Sequence, residues 1–171
     1  DQGVFGKVIV LLNTTAPMDC DWLEDYGIDA CLWIGTPGQW GAEGITNLLT
    51  GKANPSGHLI DTYASNSLSA PATVNSGTQT PKYANADEMG VDKTYVNVQV
   101  EGIYTGYKYY ETRYEDCILN QGNAASSAGA SYGASRWNYA AEMVYPFGYG
   151  LSYTEFEQNL KNVAYNAESD T

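Results

Sequence analysis

Short apolar runs separated by glycine-rich breaks dominate the first 60 residues. Residues 7–12 and 28–34 are compact apolar runs, each of a length typical of a buried strand. Residues 45–49 carry isoleucine and leucine at helical spacing, and Gly51 follows where a helix would end. Residues 58–60 open a third short apolar run. The pattern predicts a βαβ unit, in which ligands bind beyond the carboxyl ends of the strands.

The segment between the first two predicted strands contains a short helical pattern. Asp19 and Asp21 are suited to cap a helix that starts there. Gly27 follows the pattern and is expected to end the helix before the second strand begins.

The second half of the chain is less regular. Residues 64–94 are rich in small and polar residues without a sustained apolar period, and are either an excursion over the surface or a segment that docks on a neighbour. Residues 120–139 are rich in the same residue types and are either a low-complexity linker or an ordered loop held by Trp137. Residues 95–100 alternate as a half-buried strand does, whereas residues 103–110 favour a short helix. Residues 145–156 place aromatic side chains between glycines, which predicts a turn whose rings fold back onto a core.

Composition and charge exclude several classes of protein. The 171 residues are enough for one domain, and 43% hydrophobic with 16% charged residues is a globular composition. The formal charge of −12 argues against nucleic acid or an anionic membrane as the main partner. No apolar run approaches the roughly 20 residues of a membrane helix, and no secretory signal is visible at the start. A soluble protein is expected, with cytoplasmic and secreted locations both open.

Cysteine and histidine give no sign of a metal site. Cys20, Cys31 and Cys117 are widely spaced, and His58 is the sole histidine. Neither a zinc site nor a disulfide framework is predicted from this pattern. Cys31 lies inside an apolar run and is expected to be a buried thiol. His58 is expected to be structural, because no serine or cysteine nucleophile pattern accompanies it.

Six short motifs, taken together, resemble glycoside hydrolase family 3. In chain order they are GTPGQ at 35–39, LLTG at 48–51, NPSG at 54–57, EGIY at 101–104, GYKYY at 106–110 and PFGYGLSY at 146–153. Their order is similar to that of the C-terminal α/β-sandwich domain of the family, over roughly residues 7–156. The resemblance implies an α/β fold with a mostly parallel sheet flanked by helices, incomplete on its N-terminal side. Residues 1–171 would be a single partial domain, with the two irregular stretches as insertions.

The resemblance also implies an activity. Members of the family are retaining β-glycosidases that act on β-linked sugars such as glucosides or xylosides, and this domain forms one wall of their active-site cleft. A barrel domain supplies the aspartate nucleophile, and the usual acid/base loop would precede Asp1. A retaining mechanism needs two carboxyl groups about 5–5.5 Å apart. No catalytic residue, cofactor or metal is therefore assigned to this chain, and the isolated chain is expected to be inactive.

Three partners are implied, and two other classes of function stay open. The partners are a β-linked carbohydrate, the barrel domain, and a second copy or sister chain at an unpaired sheet edge. One alternative function is a carbohydrate-binding or interaction module that keeps the fold without catalysis. The other is a purely structural assembly domain.

Substrate-binding candidates lie in the glycine turn after the second predicted strand. Where the family commonly has glutamate after Pro-Gly-Gln, this sequence has Trp40, with Glu43 three residues later. The Trp40 indole can offer a sugar ring its face, or it can pack against the next loop while Glu43 supports a helix N-terminus. Thr36 and Gln39 either face the cleft or only form the turn.

Overall fold

The computed structural model describes residues 3–74, 85, 87–90, 101–124 and 137–164 of the chain. These residues form helices and two small sheets. In chain order the elements are β1 (Ile9–Leu12), β2 (Ala30–Trp33), α1 (Gly41–Leu49), β3 (Tyr63–Ala64), α2 (Pro71–Val74), α3 (Tyr107–Leu119), α4 (Tyr139–Glu142) and β4 (Met143–Tyr145), with single 3₁₀ turns at Asp21–Leu23 and Ser67–Ser69. The strand predicted over residues 95–100 lies outside the described residues, as do parts of both irregular stretches.

The first two predicted strands are confirmed as a parallel pair. β1 and β2 run side by side, in register from Ile9 opposite Ala30 to Leu12 opposite Trp33. The helix predicted after them is confirmed as α1, and Gly51 follows its end with a φ of +71°. Because the two strands are parallel, the loops that leave their carboxyl ends lie at the same edge of the sheet.

The prediction of a third strand over residues 58–60 is wrong. Leu59 pairs instead with the residues that follow β4: its amide donates to the Tyr149 carbonyl and its carbonyl accepts from the Gly148 amide, both at 2.8 Å. The strand nearest in sequence is β3, which pairs antiparallel with β4. The described chain therefore has one parallel and one antiparallel two-stranded sheet.

Two clusters of buried side chains form the core. One gathers Tyr109, Tyr110 and Trp137 under α3, and the other gathers Cys20, Leu23 and Tyr63 against the inner face of β1. β1 is not buried on both faces as a central strand would be, because Ile9 and Leu11 remain 46% and 40% exposed.

The two cysteines near this sheet differ in burial, and the prediction for Cys31 is wrong. Cys31 is exposed on β2, contrary to the prediction of a buried thiol, whereas Cys20 is completely buried. Burial, followed by the nearby Cys31 thiol and the Asp19 and Asp21 carboxylates, raises the pKa of Cys20 to about 11. Cys20 therefore remains a neutral, apolar-like side chain at physiological pH.

The remaining helical predictions hold in part. The short helix before β2 is a single 3₁₀ turn over Asp21–Leu23, and the chain reaches β2 through Gly27 at a φ of +61°. α3 begins later and runs longer than the predicted helix over residues 103–110. It starts after Gly106, whose φ of +60° and ψ of −136° suit glycine alone, and it ends at Asn120 in the left-handed conformation.

Hydrogen bonds join two motifs that lie about 100 residues apart in sequence. The Asn54 side-chain oxygen accepts from the Ser152 hydroxyl at 3.0 Å and from the Tyr153 amide at 2.9 Å. The Tyr153 hydroxyl donates to the Leu48 carbonyl at the end of α1. Nearby, His58 Nδ1 lies 2.8 Å from the Gly148 carbonyl, which is the structural role expected of this residue. The NPSG and PFGYGLSY motifs therefore form a single joint.

Asp116 fixes the chain after α3. Its carboxylate is buried and accepts from the Asn123 side chain at 2.9 Å and from the Ala124 amide at 2.7 Å. Burial alone would raise the pKa of Asp116, but these hydrogen bonds outweigh it and hold the pKa below its usual value of 3.8.

This carboxylate gives the fold a dependence on acid. Because the folded pKa is lowered, the stabilisation is complete above about pH 4 and is lost as pH falls through the folded value. We expect Asp116→Asn, which cannot accept both bonds with equal geometry, to cost about 1–3 kcal/mol at pH 7 and to flatten the acid limb of the stability curve. Urea unfolding between pH 2.5 and 7 measures both effects. The exposed neighbour Glu115→Gln is the matched control, and a variant as acid-sensitive as the wild type would contradict the assignment.

Candidate functional site

The loops at the carboxyl ends of β1 and β2 are tied to each other by two hydrogen bonds. The Asn13 side chain donates to the Gly35 carbonyl at 2.6 Å, and the Trp33 indole N–H donates to the Thr14 carbonyl at 2.9 Å. The indole ring also lies against Gly35, where an added Cβ would be 3.5 Å from it. Trp33 is thus held in one orientation, although 36% of it remains exposed.

A small cavity, the carboxyl-edge pocket, opens beside this ring. It is lined by residues 15–17, Trp33, residues 59–61 and Tyr63, and its volume is about 80 Å³. The walls are mostly apolar, and the lining residues with polar groups in their side chains include Thr15, Asp61 and Tyr63. Its position, beyond the carboxyl ends of parallel strands, is where α/β proteins place their ligands.

Asp61 is the carboxylate of this pocket. Its Oδ1 accepts from the Thr62 amide at 2.9 Å, and the carboxylate lies against Gly106, where an added Cβ would be 3.2 Å from Oδ1. Gly106 directly precedes α3, so the negative charge is placed at the positive end of the helix dipole. The arrangement leaves Asp61 able to accept further hydrogen bonds from a ligand.

Tyr63 also lines the pocket and is buried. Burial raises the pKa of the Tyr63 phenol, and the neighbouring Cys20 and Asp61 raise it further. The phenol therefore stays protonated at physiological pH.

The substrate-binding candidates from the sequence do not line this pocket. Thr36 and Gln39 are exposed in the turn between β2 and α1, and Glu43 is exposed in the first turn of α1. Trp40 precedes the first residue of α1 and is 80% exposed, so it does not pack against the next loop. The turn is tight: a Cβ at Gly41 would overlap the Cβ of Pro37.

The described part of the chain contains neither a cluster of candidate metal ligands nor a helix suited to span a membrane. No group of three or more histidine, cysteine or acidic side chains there is arranged to hold a metal ion. Among the same residues, no helix has the length and apolar character needed to cross a membrane.

Sequence reasoning missed the residues that form the pocket. It treated Trp33 only as part of the strand predicted over residues 28–34, and it did not single out Asp61. The sequence did contain a signal for residues 15–17 and Trp33, because loops that leave neighbouring parallel strands meet at one edge of the sheet. Asp61 carried no such signal, since its place depends on contacts with α3, more than 40 residues away in sequence.

Comparison with known proteins identifies the family. The sequence profile of the glycosyl hydrolase family 3 C-terminal domain matches residues 2–153. The chain belongs to this family. The NPSG and PFGYGLSY motifs, which hydrogen bonds join in the structure, both lie within the residues that match the family 3 domain.

Relatives of the family 3 domain are β-glucosidases and a β-xylosidase. This chain is 28% identical over 153 residues to "Beta-glucosidase" of Ruminococcus albus, and the alignment covers 90% of this chain and 12% of that protein. It is 33% identical to "Beta-glucosidase A" of Butyrivibrio fibrisolvens, with 89% and 14% covered, and 28% identical to "Beta-D-xylosidase 1" of Arabidopsis thaliana, with 93% and 15% covered. The chain spans about one-eighth to one-seventh of the length of these relatives.

A solved structure matches the fold. The crystal structure of a β-glucosidase from Paenibacillus barengoltzii superposes with a TM-score of 0.59 and 26% sequence identity. The superposition covers 94% of the family 3 domain and 13% of that enzyme. Both comparisons place this chain among glycoside hydrolase domains.

Proposed function

We propose that this chain forms one wall of the substrate cleft in a retaining β-glycosidase of glycoside hydrolase family 3. The substrates would be β-linked glucosides or xylosides, as the names of the relatives suggest. The observation that carries the proposal is the carboxyl-edge pocket, which combines a fixed indole with a carboxylate at the ligand-binding edge of the parallel strands.

The pocket has the chemistry of a sugar site without that of a catalytic one. A sugar ring presents C–H groups to an aromatic face and hydroxyl groups to a carboxylate, and Trp33 and Asp61 supply these two partners. A retaining site needs two carboxyl groups about 5–5.5 Å apart, but Asp61 is the single carboxylate among the residues that line this pocket. The nucleophile and the acid/base would then come from outside this chain.

The glycine turn would extend the wall. In this proposal Trp40 stacks on a sugar beyond the pocket, with Thr36, Gln39 and Glu43 as polar neighbours. Its 80% exposure leaves the indole face accessible to another molecule or domain. The barrel domain of the longer protein would supply the opposite wall.

The test is hydrolysis by the complete protein that contains this chain. Expressed from its full reading frame, it should release p-nitrophenol from p-nitrophenyl β-glucoside or β-xyloside with retention of the anomeric configuration. Trp40→Ala should raise KM severalfold with little change in kcat, whereas an unchanged KM would remove Trp40 from the site. A folded full-length protein that binds β-glycosides but hydrolyses none would favour the non-catalytic module.

The 171-residue chain alone should be inactive. With Asp61 as the one carboxylate among its lining residues, the pocket lacks the pair that a retaining mechanism requires. We expect no release of p-nitrophenol above the buffer blank during an overnight incubation. Measurable turnover that is proportional to the concentration of purified chain, and that Asp61→Asn abolishes, would contradict this assignment of roles.

A further inference from the structure

Cys20 and Cys31 lie on the same side of the parallel sheet. Cys31 on β2 is directly opposite Val10 on β1, and side chains in directly opposite positions point to the same face of a sheet. Val10 packs against the buried cluster that contains Cys20. The Cys31 side chain therefore points to the side of the sheet on which Cys20 is buried.

Two tyrosines lie beside both thiols. Tyr63 belongs to the same buried cluster as Cys20, and Tyr145 packs against that cluster. Cys20 and Cys31 each contribute to raising the pKa of both phenols, an electrostatic effect that requires proximity. After burial, Cys31 is also the largest contribution to the raised pKa of Cys20, ahead of the Asp19 carboxylate next to it in sequence. The strand register and these shared neighbours place the two thiols in one neighbourhood.

The two thiols differ in accessibility. Cys31 is exposed, whereas Cys20 is completely buried. A dissolved disulfide can therefore reach Cys31 first, and Cys20 is placed to complete the reaction from the protein side. Cys117, the third cysteine of the chain, lies on α3 and outside the cluster that contains Cys20.

We propose that Cys20 and Cys31 form a disulfide bond with each other when the chain meets a low-molecular-weight disulfide such as oxidised glutathione. The Cys31 thiolate attacks one glutathione sulfur, forms a mixed disulfide and releases one glutathione thiolate, which takes up a proton. The Cys20 thiol then loses its proton and attacks the Cys31 sulfur, which releases the second glutathione. In the net reaction two protein thiols are oxidised to one disulfide, and one glutathione disulfide is reduced to two thiols.

This bond would join two walls of the carboxyl-edge pocket. Residues 15–17 lie shortly before Cys20 in the chain, and Trp33 lies shortly after Cys31. A covalent link between the cysteines holds these wall segments at a fixed separation. It also closes the loop of residues 20–31, which removes conformational freedom from the unfolded chain. The pocket walls are therefore more rigid in oxidising than in reducing surroundings.

The experiment uses the reduced 171-residue chain with Cys117→Ser, so that Cys20 and Cys31 are its only thiols. It is incubated overnight with an excess of oxidised glutathione in alkaline buffer, because burial raises the pKa of both thiols and leaves little thiolate at neutral pH. We expect both thiols to disappear from a thiol titration, and the mass to fall by two hydrogens without added glutathione. Cleavage after Glu24 by a glutamate-specific protease should leave the two cysteine fragments joined until reductant is added.

The oxidised chain should also be more stable than the reduced chain. Closing a loop of about a dozen residues should raise its melting temperature by about 6–12 °C. The matched control carries Cys31→Ser as well, which removes the exposed thiol and keeps the buried one. It should keep its single thiol, and its melting temperature should be the same with and without oxidised glutathione.

Any of four results would overturn the inference. These are two thiols that persist after incubation, glutathione that stays attached to Cys31, fragments that separate without reductant, or an oxidised chain no more stable than the reduced one. Should Cys117→Ser fail to fold by circular dichroism, the fragment readout is made on the unmodified chain, where cleavage after Glu115 puts Cys117 in a separate fragment. None of these readouts needs a substrate, so the result is independent of the proposed function.

Discussion

Gly150→Ala should lower the free energy of unfolding of this chain more than Gly57→Ala, Gly102→Ala or Gly106→Ala does. A Cβ at position 150 would lie 2.6 Å from the Gly57 carbonyl oxygen and 2.9 Å from His58 Nδ1. The first contact is with backbone, which cannot rotate away as a side chain can. The overlap can therefore be relieved only if the NPSG turn separates from the segment after β4. That separation would break the hydrogen bonds of Leu59 to Gly148 and Tyr149. We expect a loss of about 3 kcal/mol, or a melting temperature lower by about 6–12 °C.

The matched control is Gly57→Ala, on the other side of the same contact. A Cβ there meets no atom within 4 Å, so the substitution should be neutral or slightly stabilising through the unfolded state. Urea unfolding monitored by tryptophan fluorescence gives both free energies. A Gly150→Ala variant as stable as Gly57→Ala would show that the two motifs do not touch in solution.

The local elements of the fold could be predicted from sequence where one short pattern decides them. The apolar runs that became β1 and β2 have strand length and glycine-rich flanks, and α1 shows helical spacing before Gly51. The segment around Leu59 has the same local character as a strand, but its partner is a loop about 90 residues later. No local pattern carries that information, which is why a third parallel strand was wrongly expected.

Burial was less predictable than secondary structure. Cys31 lies in an apolar run, yet it is exposed, although its register partner Val10 packs against the buried cluster around Cys20. Cys20 lies among polar residues, yet it is fully buried because the 3₁₀ turn folds it under β1. In both cases the tertiary arrangement decides, and the sequence supplies only local hydrophobicity.

In the candidate site, too, local patterns predict one part and tertiary contacts decide the other. The sequence indicated the edge of the sheet at which the pocket lies, because glycine turns after parallel strands are readable as motifs. The side chains that line the pocket come from three segments, residues 15–17, Trp33 and the stretch from residue 59 to Tyr63. Their meeting depends on how the chain returns after α1, which no spacing rule specifies.

Gly106→Ala should lower the stability of the fold and displace the Asp61 carboxylate in the pocket. The residue combines a φ of +60° with a ψ of −136°, which a side chain adopts only with strain of about 1–3 kcal/mol. An added Cβ would also lie 3.2 Å from Asp61 Oδ1, so the carboxylate has to move. We expect a loss of stability within that range, together with a several-fold weaker affinity for methyl β-D-glucopyranoside.

Gly102→Ala separates these two effects. Gly102 has the same φ of +60°, but a Cβ there meets nothing within 4 Å. It should therefore lose stability through strain while keeping the glucoside affinity of the wild type, measured by NMR titration on the folded fraction. Equal sugar binding by the two variants would mean that the contact between Gly106 and Asp61 does not position the carboxylate. A loss confined to Gly106→Ala would instead connect the start of α3 directly to the pocket at the edge of the parallel strands.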